Sequence, residues 1–307
     1  MTVHQRSNAC TDFGYESRLM NFSLQNVLDH FGLSGRPFTL VPDPGFFFMS
    51  EQHRYAQASL AYGIMSRAPI TMLTGDIGAG KTLILRDLLL NQQDEDITVG
   101  LVANAAPADR VEMLRLVLYA LGEDVPETDS YAKLYAQLEA FLVDRYRAGQ
   151  RVVLIFDEAQ NLDRDSLEHL RMLTNINYGE HELVQLVLIG QPDLRDMIAR
   201  PDLRQLAQRI SASAYISPLS KDEIGAYIEY RLQVVGREDP LFSSDTYEMI
   251  YDHTGGVPRL INQLCDYGLL YAFGGNEQIV TCETLASVVE DNFLMSGERA
   301  VPLRALP

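Results

Sequence analysis

The sequence predicts an α/β fold: a parallel sheet flanked by helices, followed by a small all-helical domain. Three observations predict it. Short apolar runs with the length of buried strands recur at 70–74, 97–103, 151–156, 183–189 and, more weakly, 212–216. Helical patterns fill the intervals, at 80–91, 108–121, 131–148 and 163–174, with shorter ones across 192–208. After Pro218 the strand-like runs stop, and only helical patterns remain at 220–236, 243–253, 257–273 and 281–292. Strands that alternate with helices of this length form parallel sheets covered on both faces, because each parallel connection has to cross over the sheet.

The segments before the first strand follow from local chemistry. Residues 1–25 are polar and expected as a flexible N-terminal arm. A short helix follows from Asn26, and Pro37, Pro42 and Pro44 then make 35–46 an irregular strap, since proline fixes its own φ and biases its predecessor to extended geometry. Ser50 stands as an N-cap, with Glu51 in the first turn of a helix running to about Arg67. The expected domains are therefore 26–217 for the α/β unit, 218–295 for the helical unit and 296–307 for a disordered tail.

Composition narrows the function classes. The 307 residues are 47% hydrophobic and 22% charged, the range of ordinary globular chains. No apolar run approaches the ~18 residues of a membrane-spanning helix, and the first twenty residues lack an apolar signal core. Cys10, Cys265 and Cys282 are odd in number and widely spaced, which fits reduced thiols and a cytoplasmic protein better than a disulfide framework or a zinc site. His53 and His253 have no metal-ligand spacing. The net charge is −17, and in 218–295 only Lys221, Arg231, Arg237 and Arg259 stand against thirteen Asp and Glu. Such a chain is repelled on average by phosphate backbones, so DNA is a disfavoured partner.

The chemistry is concentrated in two stretches. Gly75-Asp76-Ile77-Gly78-Ala79-Gly80-Lys81-Thr82 matches G-x-x-x-x-G-K-[ST] between the first strand and a helix, which is the context the motif requires. Glycines let successive N–H groups turn inward toward phosphate oxygens, and the helix N-terminus adds partial positive charge. Lys81, one of only three lysines, reaches the β- and γ-phosphates of ATP, Thr82 ligates Mg²⁺, and Leu83 borders the same site. The second stretch is VVLIFDEAQNL at 152–162, an apolar strand ending in two carboxylates at the sheet edge where open α/β folds bind ligands. There Asp157 serves the Mg²⁺ and Glu158 orients or deprotonates the attacking water.

Together with PFTLVPDPGFFFMSEQHR, LRMLTN at 170–175, LIGQPDLR at 188–195, LAQRI at 206–210 and GGVPRLINQLCD at 255–266, these stretches resemble the AAA+ ATPase domain of the ExeA/GspA family, itself similar to TniB-type transposition ATPases. The resemblance covers roughly 26–295. It implies an AAA+ P-loop NTPase with a five-stranded parallel sheet and a helical lid, and nucleotide between them. It also implies roles by position: Gln191 as the sensor beyond the fourth strand, Arg209 as an arginine finger presented to a neighbouring subunit with Arg204 in reserve, and Arg259 as the lid arginine that closes on the phosphate. Asn262, one turn beyond Arg259, is expected to pack or cap. Phe46, Phe47 and Phe48 are expected as core, with one ring near the adenine, and the Tyr227/Tyr230 and Tyr247/Tyr251 pairs as core.

An arginine finger makes turnover depend on assembly, so the expected protein is a homo-oligomeric ATPase, a ring or helical arc. Its expected work is coupling ATP to a protein client of a secretion or export system. A DNA-associated transposition regulator and a non-hydrolysing nucleotide switch are the alternatives. An intact Glu158 weighs against the switch, since binding alone does not need it.

Overall fold

The computed structural model describes residues 23–41, 43–91, 96–104, 106–126 and 129–291. The arm expected before residue 23 and the tail 296–307 lie outside them, as does Cys10. The arm's boundary at 25 is corrected: helix α1 (Leu24–Phe31) already starts at Leu24, because the Ser23 hydroxyl accepts the Asn26 N–H and caps it. The strap is irregular apart from one turn of 3-10 helix at Pro44–Phe46. Ser50 caps α2 (Glu51–Met65), its hydroxyl accepting the His53 N–H.

The predicted alternation then unfolds in order. It runs β1 (Ile70–Gly75), α3 (Lys81–Asn91), β2 (Ile97–Ala103), α4 (Arg110–Ala120), α5 (Tyr131–Arg147), β3 (Arg151–Asp157) and α6 (Arg164–Leu173). A small antiparallel hairpin follows, β4 (Asn177–Tyr178) with β5 (His181–Glu182), which no sequence pattern announced. The α/β unit closes with β6 (Val184–Gly190), α7 (Pro192–Ile198), α8 (Arg204–Ala207) and β7 (Ile210–Ile216). The last four helices are α9 (Glu223–Val234), α10 (Thr246–Thr254), α11 (Pro258–Gly274) and α12 (Cys282–Glu290).

Five strands form one parallel sheet in the order β2-β3-β6-β1-β7. Side chains alternate across it. Met72, Leu154, Phe156, Leu186 and Leu188 face the core beneath α4, α5 and α6, while Leu73, Val153, Ile155, Val187 and Ile189 face that beneath α2 and α3. The central strands β1 and β6 are buried along their whole length. That is why they read as continuous apolar runs rather than alternating ones.

A third core belongs to the last four helices, and it divides the chain differently from the expected boundary at 217. Val27, Phe31, Leu33 and Phe38 share it with Ile228, Leu241, Ile261, Leu264 and Leu285. The α1 helix and the start of the strap therefore pack on the C-terminal helices, not on the sheet. The strap then fastens the two halves together: Phe46 and Phe48 pack on the helical core, whereas Phe47 between them packs on the sheet core.

Candidate active site

Between the carboxyl edge of the sheet and the helical unit lies a cleft of about 280 Å³. Its floor is the loop from β1 into α3. Gly78 (φ 79°) and Gly80 (φ 93°) hold that loop in the left-handed region, and neither has room for a side chain. A Cβ on Gly78 would lie 2.8 Å from Arg259 Cβ, and one on Gly80 would lie 2.9 Å from His53 Nε2. The loop is thus pressed from one side by the lid and from the other by α2.

His53 is the brace on the α2 side. Its Nε2 donates to the Ala79 carbonyl at 2.9 Å, which makes Nδ1 the acceptor from the Ser50 hydroxyl at 2.6 Å. Burial lowers its pKa, with the Ala79 bond and the Glu223 charge opposing. No metal-type spacing marks His53 in the sequence, and its contact spans 26 positions. Only the helix cap at Ser50 could have signalled it.

Lys81 is buried, with 7% exposure, and its Nζ donates to the carbonyls of Gly75 at 2.8 Å and Asp76 at 2.9 Å. Burial lowers its pKa, while the carboxylates of Glu158, Asp157 and Asp76 oppose that change. Asp157 ends β3, with Oδ2 3.5 Å from the Thr82 hydroxyl and Oδ1 accepting the Glu158 N–H at 3.0 Å. Its carboxyl is pushed up chiefly by burial, against the help of that N–H and of Lys81. A hydroxyl and a carboxylate this close are hard oxygen donors of the kind Mg²⁺ takes alongside substrate phosphates. Among the described residues no group of three or more His, Cys, Asp or Glu forms a self-sufficient metal cage.

Glu158 lines the cleft from the turn after β3, and Gln191 faces it from the first position beyond β6, with Nε2 3.4 Å from Glu158 Oε2. Gln160 joins them: its Nε2 donates to Glu158 Oε2 at 2.5 Å, and its Oε1 accepts the Gln191 N–H at 3.0 Å. Sequence analysis passed over Gln160, although it sits in the quoted FDEAQNL stretch. Ile77 stands exposed at the rim, and Leu83 lines the wall.

The lid closes the opposite side. Pro258 occupies the first turn of α11 and sets Arg259 against Gly78. Deeper in, Arg231 is 6% exposed, with no carboxylate bonded to it among the described residues; Nε donates to the Pro37 carbonyl at 2.5 Å, and Nη1 donates to the Tyr227 hydroxyl at 3.2 Å. Its guanidinium lies 4.8 Å from the Phe46 ring centre. Asn262 accepts from the Tyr227 hydroxyl at 2.7 Å and donates to the Thr39 carbonyl at 3.3 Å, so it latches strap to lid where packing or capping was expected. Of the four tyrosines expected as core, Tyr227 alone is fully buried, and its hydroxyl serves this latch.

Arg209 is not in the cleft. It precedes β7, whose first residue Ile210 pairs with Ile70 at the start of β1, while the phosphate loop leaves the other end of that strand. The separation is about 20 Å at 3.3 Å per residue. There Arg209 bonds the Thr174 hydroxyl at 2.9 Å and also Asn175 and Glu182. Arg204 is exposed on α8, and its side chain makes no bond among the described residues.

A family model described as AAA domain matches residues 64–198. General secretion pathway protein A of Aeromonas hydrophila is 39% identical over 81% of this chain, which spans 46% of that relative's length. Among solved structures, the Cdc6p protein of Pyrobaculum aerophilum superposes with a TM-score of 0.63 at 19% identity, covering 87% of this chain and 75% of that one. Drosophila ORC bound to DNA superposes with a TM-score of 0.65 at 15% identity, covering 97% and 71%.

Proposed function

From the premise that this chain has the AAA+ P-loop fold and is related to general secretion pathway protein A, we propose that it binds and hydrolyses ATP as a homo-oligomer. One observation carries the proposal: Lys81, Thr82, Asp157, Glu158 and Gln191 converge from three strand ends on a cleft that Arg259 closes from the lid. Lys81 exchanges its loop carbonyls for β- and γ-phosphate oxygens, and the loop N–H groups and the α3 N-terminus share the load. Thr82 and Asp157 would hold Mg²⁺, which when bound would neutralise charge on those phosphates. Glu158 takes a proton from the water whose oxygen attacks the γ-phosphorus. The bond from that phosphorus to the bridging oxygen breaks, and ADP leaves with the electron pair. Gln191 and Arg259 stabilise the charge that develops on the transferred group.

Arg209 completes the site of a neighbouring subunit, since its place at the amino edge keeps it from its own. Assembly therefore controls turnover, and the expected work is driving a protein client of a secretion or export system from the cytoplasmic side. Among the described residues no helix is long and apolar enough to cross a membrane.

The test is steady-state ATP hydrolysis over a protein dilution series, with and without duplex DNA at two salt concentrations, and with Glu158→Gln as the blank. Turnover per subunit that rises with concentration and ignores DNA is the expected result. Stimulation by DNA that fades with salt replaces the export role with a transposition-type one. Wild type equal to the blank throughout leaves only a nucleotide switch.

A further inference from the structure

The turn after β3 returns a side chain to a carboxylate the chain has just passed. Glu158 has a left-handed backbone (φ 55°), and Ala159–Asn161 make one turn of 3-10 helix. Gln160 thereby doubles back, donating through Nε2 to Glu158 Oε2 at 2.5 Å and accepting the Gln191 N–H on Oε1 at 3.0 Å. Both ends of one amide are used, one on the exit of β3 and the other on the exit of β6. Gly190 makes the space: a Cβ there would lie 2.8 Å from Gln160 Oε1 and 2.8 Å from Leu194 Cδ2. The direct contact from Gln191 Nε2 to the same carboxylate oxygen is longer, at 3.4 Å.

We propose that Gln160 is a positioning residue for hydrolysis, holding the Glu158 carboxylate toward the cleft and tying its orientation to the end of β6. The proposal rests on the ATPase reading above. A carboxylate that must meet a water in line with the γ-phosphorus loses rate when it swings freely, because a small misplacement of a reacting group costs on the order of a hundredfold. The hydrogen bonds of Gln160 go to Glu158 and Gln191 rather than to the phosphate loop, so nucleotide binding is not expected to depend on it. Its effect falls on kcat alone.

The experiment compares kcat, KM and ADP affinity for wild type, Glu158→Gln, Gln160→Ala, Gln160→Glu and Gly190→Ala. Gln160→Ala is expected to lower kcat by roughly tenfold to a hundredfold, with KM and ADP affinity within about twofold of wild type. Gln160→Glu keeps the length and volume of the side chain but lacks the donor, so it falls as far. A space-filling role would instead be rescued. Gly190→Ala pushes the amide aside and reproduces the loss, and combining it with Gln160→Ala adds little, because both remove the same contact. Wild-type kcat in Gln160→Ala or in Gln160→Glu overturns the proposal, as does a loss seen in ADP affinity rather than in kcat. Those results leave the ATPase reading standing, whereas a wild type no faster than Glu158→Gln removes both.

Discussion

His169 shows how a single residue, remote from the cleft, sets the pH range of the fold. It has no solvent exposure on α6, its Nε2 meets the Tyr131 hydroxyl at 3.0 Å, and its Nδ1 has no partner among the described residues. Burial, and then the charge of Arg110, lower its pKa from 6.5 to about 4. His53 moves in the same direction, also through burial. A histidine with a depressed folded pKa stays neutral while the unfolded chain takes up its proton near 6.5. Its contribution is therefore complete above that value and is lost as pH falls toward about 4. For His169 alone roughly 2 kcal/mol is gone by about pH 5. Thermal unfolding in mildly acidic buffer checks this, with His169→Phe expected to flatten the acid loss. An equally steep loss in the variant would assign the effect to other groups.

At the scale of elements, the contact between the phosphate loop and α11 leaves no room for a side chain at Gly78. Gly78→Ala forces a side chain onto a left-handed residue and drives its Cβ against Arg259, so lid and loop must part. The expected result is a fall of about tenfold or more in ATP affinity, with backbone strain of about 1–2 kcal/mol. Titration with a fluorescent ATP analogue measures it, and unchanged affinity would mean that lid contact does not matter for binding. The strap is a second contact between the two halves. Arg231→Met fills similar volume but removes the arginine donor from the Pro37 carbonyl and the Tyr227 hydroxyl, while the Thr39 carbonyl keeps Asn262, at a cost of about 2–4 kcal/mol. Urea unfolding gives that number directly. A change below about 0.5 kcal/mol would show that the strap is held by its phenylalanines alone.

For the whole molecule, the decisive fact is that the arginine before β7 and the phosphate loop lie at opposite edges of one sheet. On the proposed role of Arg209, an Arg209→Ala subunit keeps its own nucleotide site and lacks the finger, whereas a Glu158→Gln subunit keeps the finger and lacks turnover. Mixing the two inactive proteins should restore hydrolysis to a sizeable fraction of wild type, because fingers from one population meet sites of the other. No recovery, with both proteins folded, would remove Arg209 from this role and move the test to Arg204, which is exposed on α8. Arg209→Ala should also lower the thermal midpoint modestly, since the guanidinium ties β7 to Thr174, Asn175 and Glu182. Arg204→Ala should leave it unchanged.

The five strands, the helices between them, the phosphate loop and the carboxylate pair were all legible in the sequence, because each is written in contiguous residues: an apolar run, a 3.6-residue period, a glycine spacing, a strand ending in Asp157-Glu158. Even Pro258 ahead of Arg259 announced a helix start. Tertiary structure alone decided which of those pieces meet. It put α1 on the core of the last four helices, split Phe46, Phe47 and Phe48 between two cores, and set Arg231 and Asn262 across the strap from 190 positions away or more. It also turned His53 under the phosphate loop and bent Gln160 back to Glu158 while reaching Gln191. Such contacts depend on sheet order and on which side chain fills which space, and neither is carried by the period or composition of any one segment.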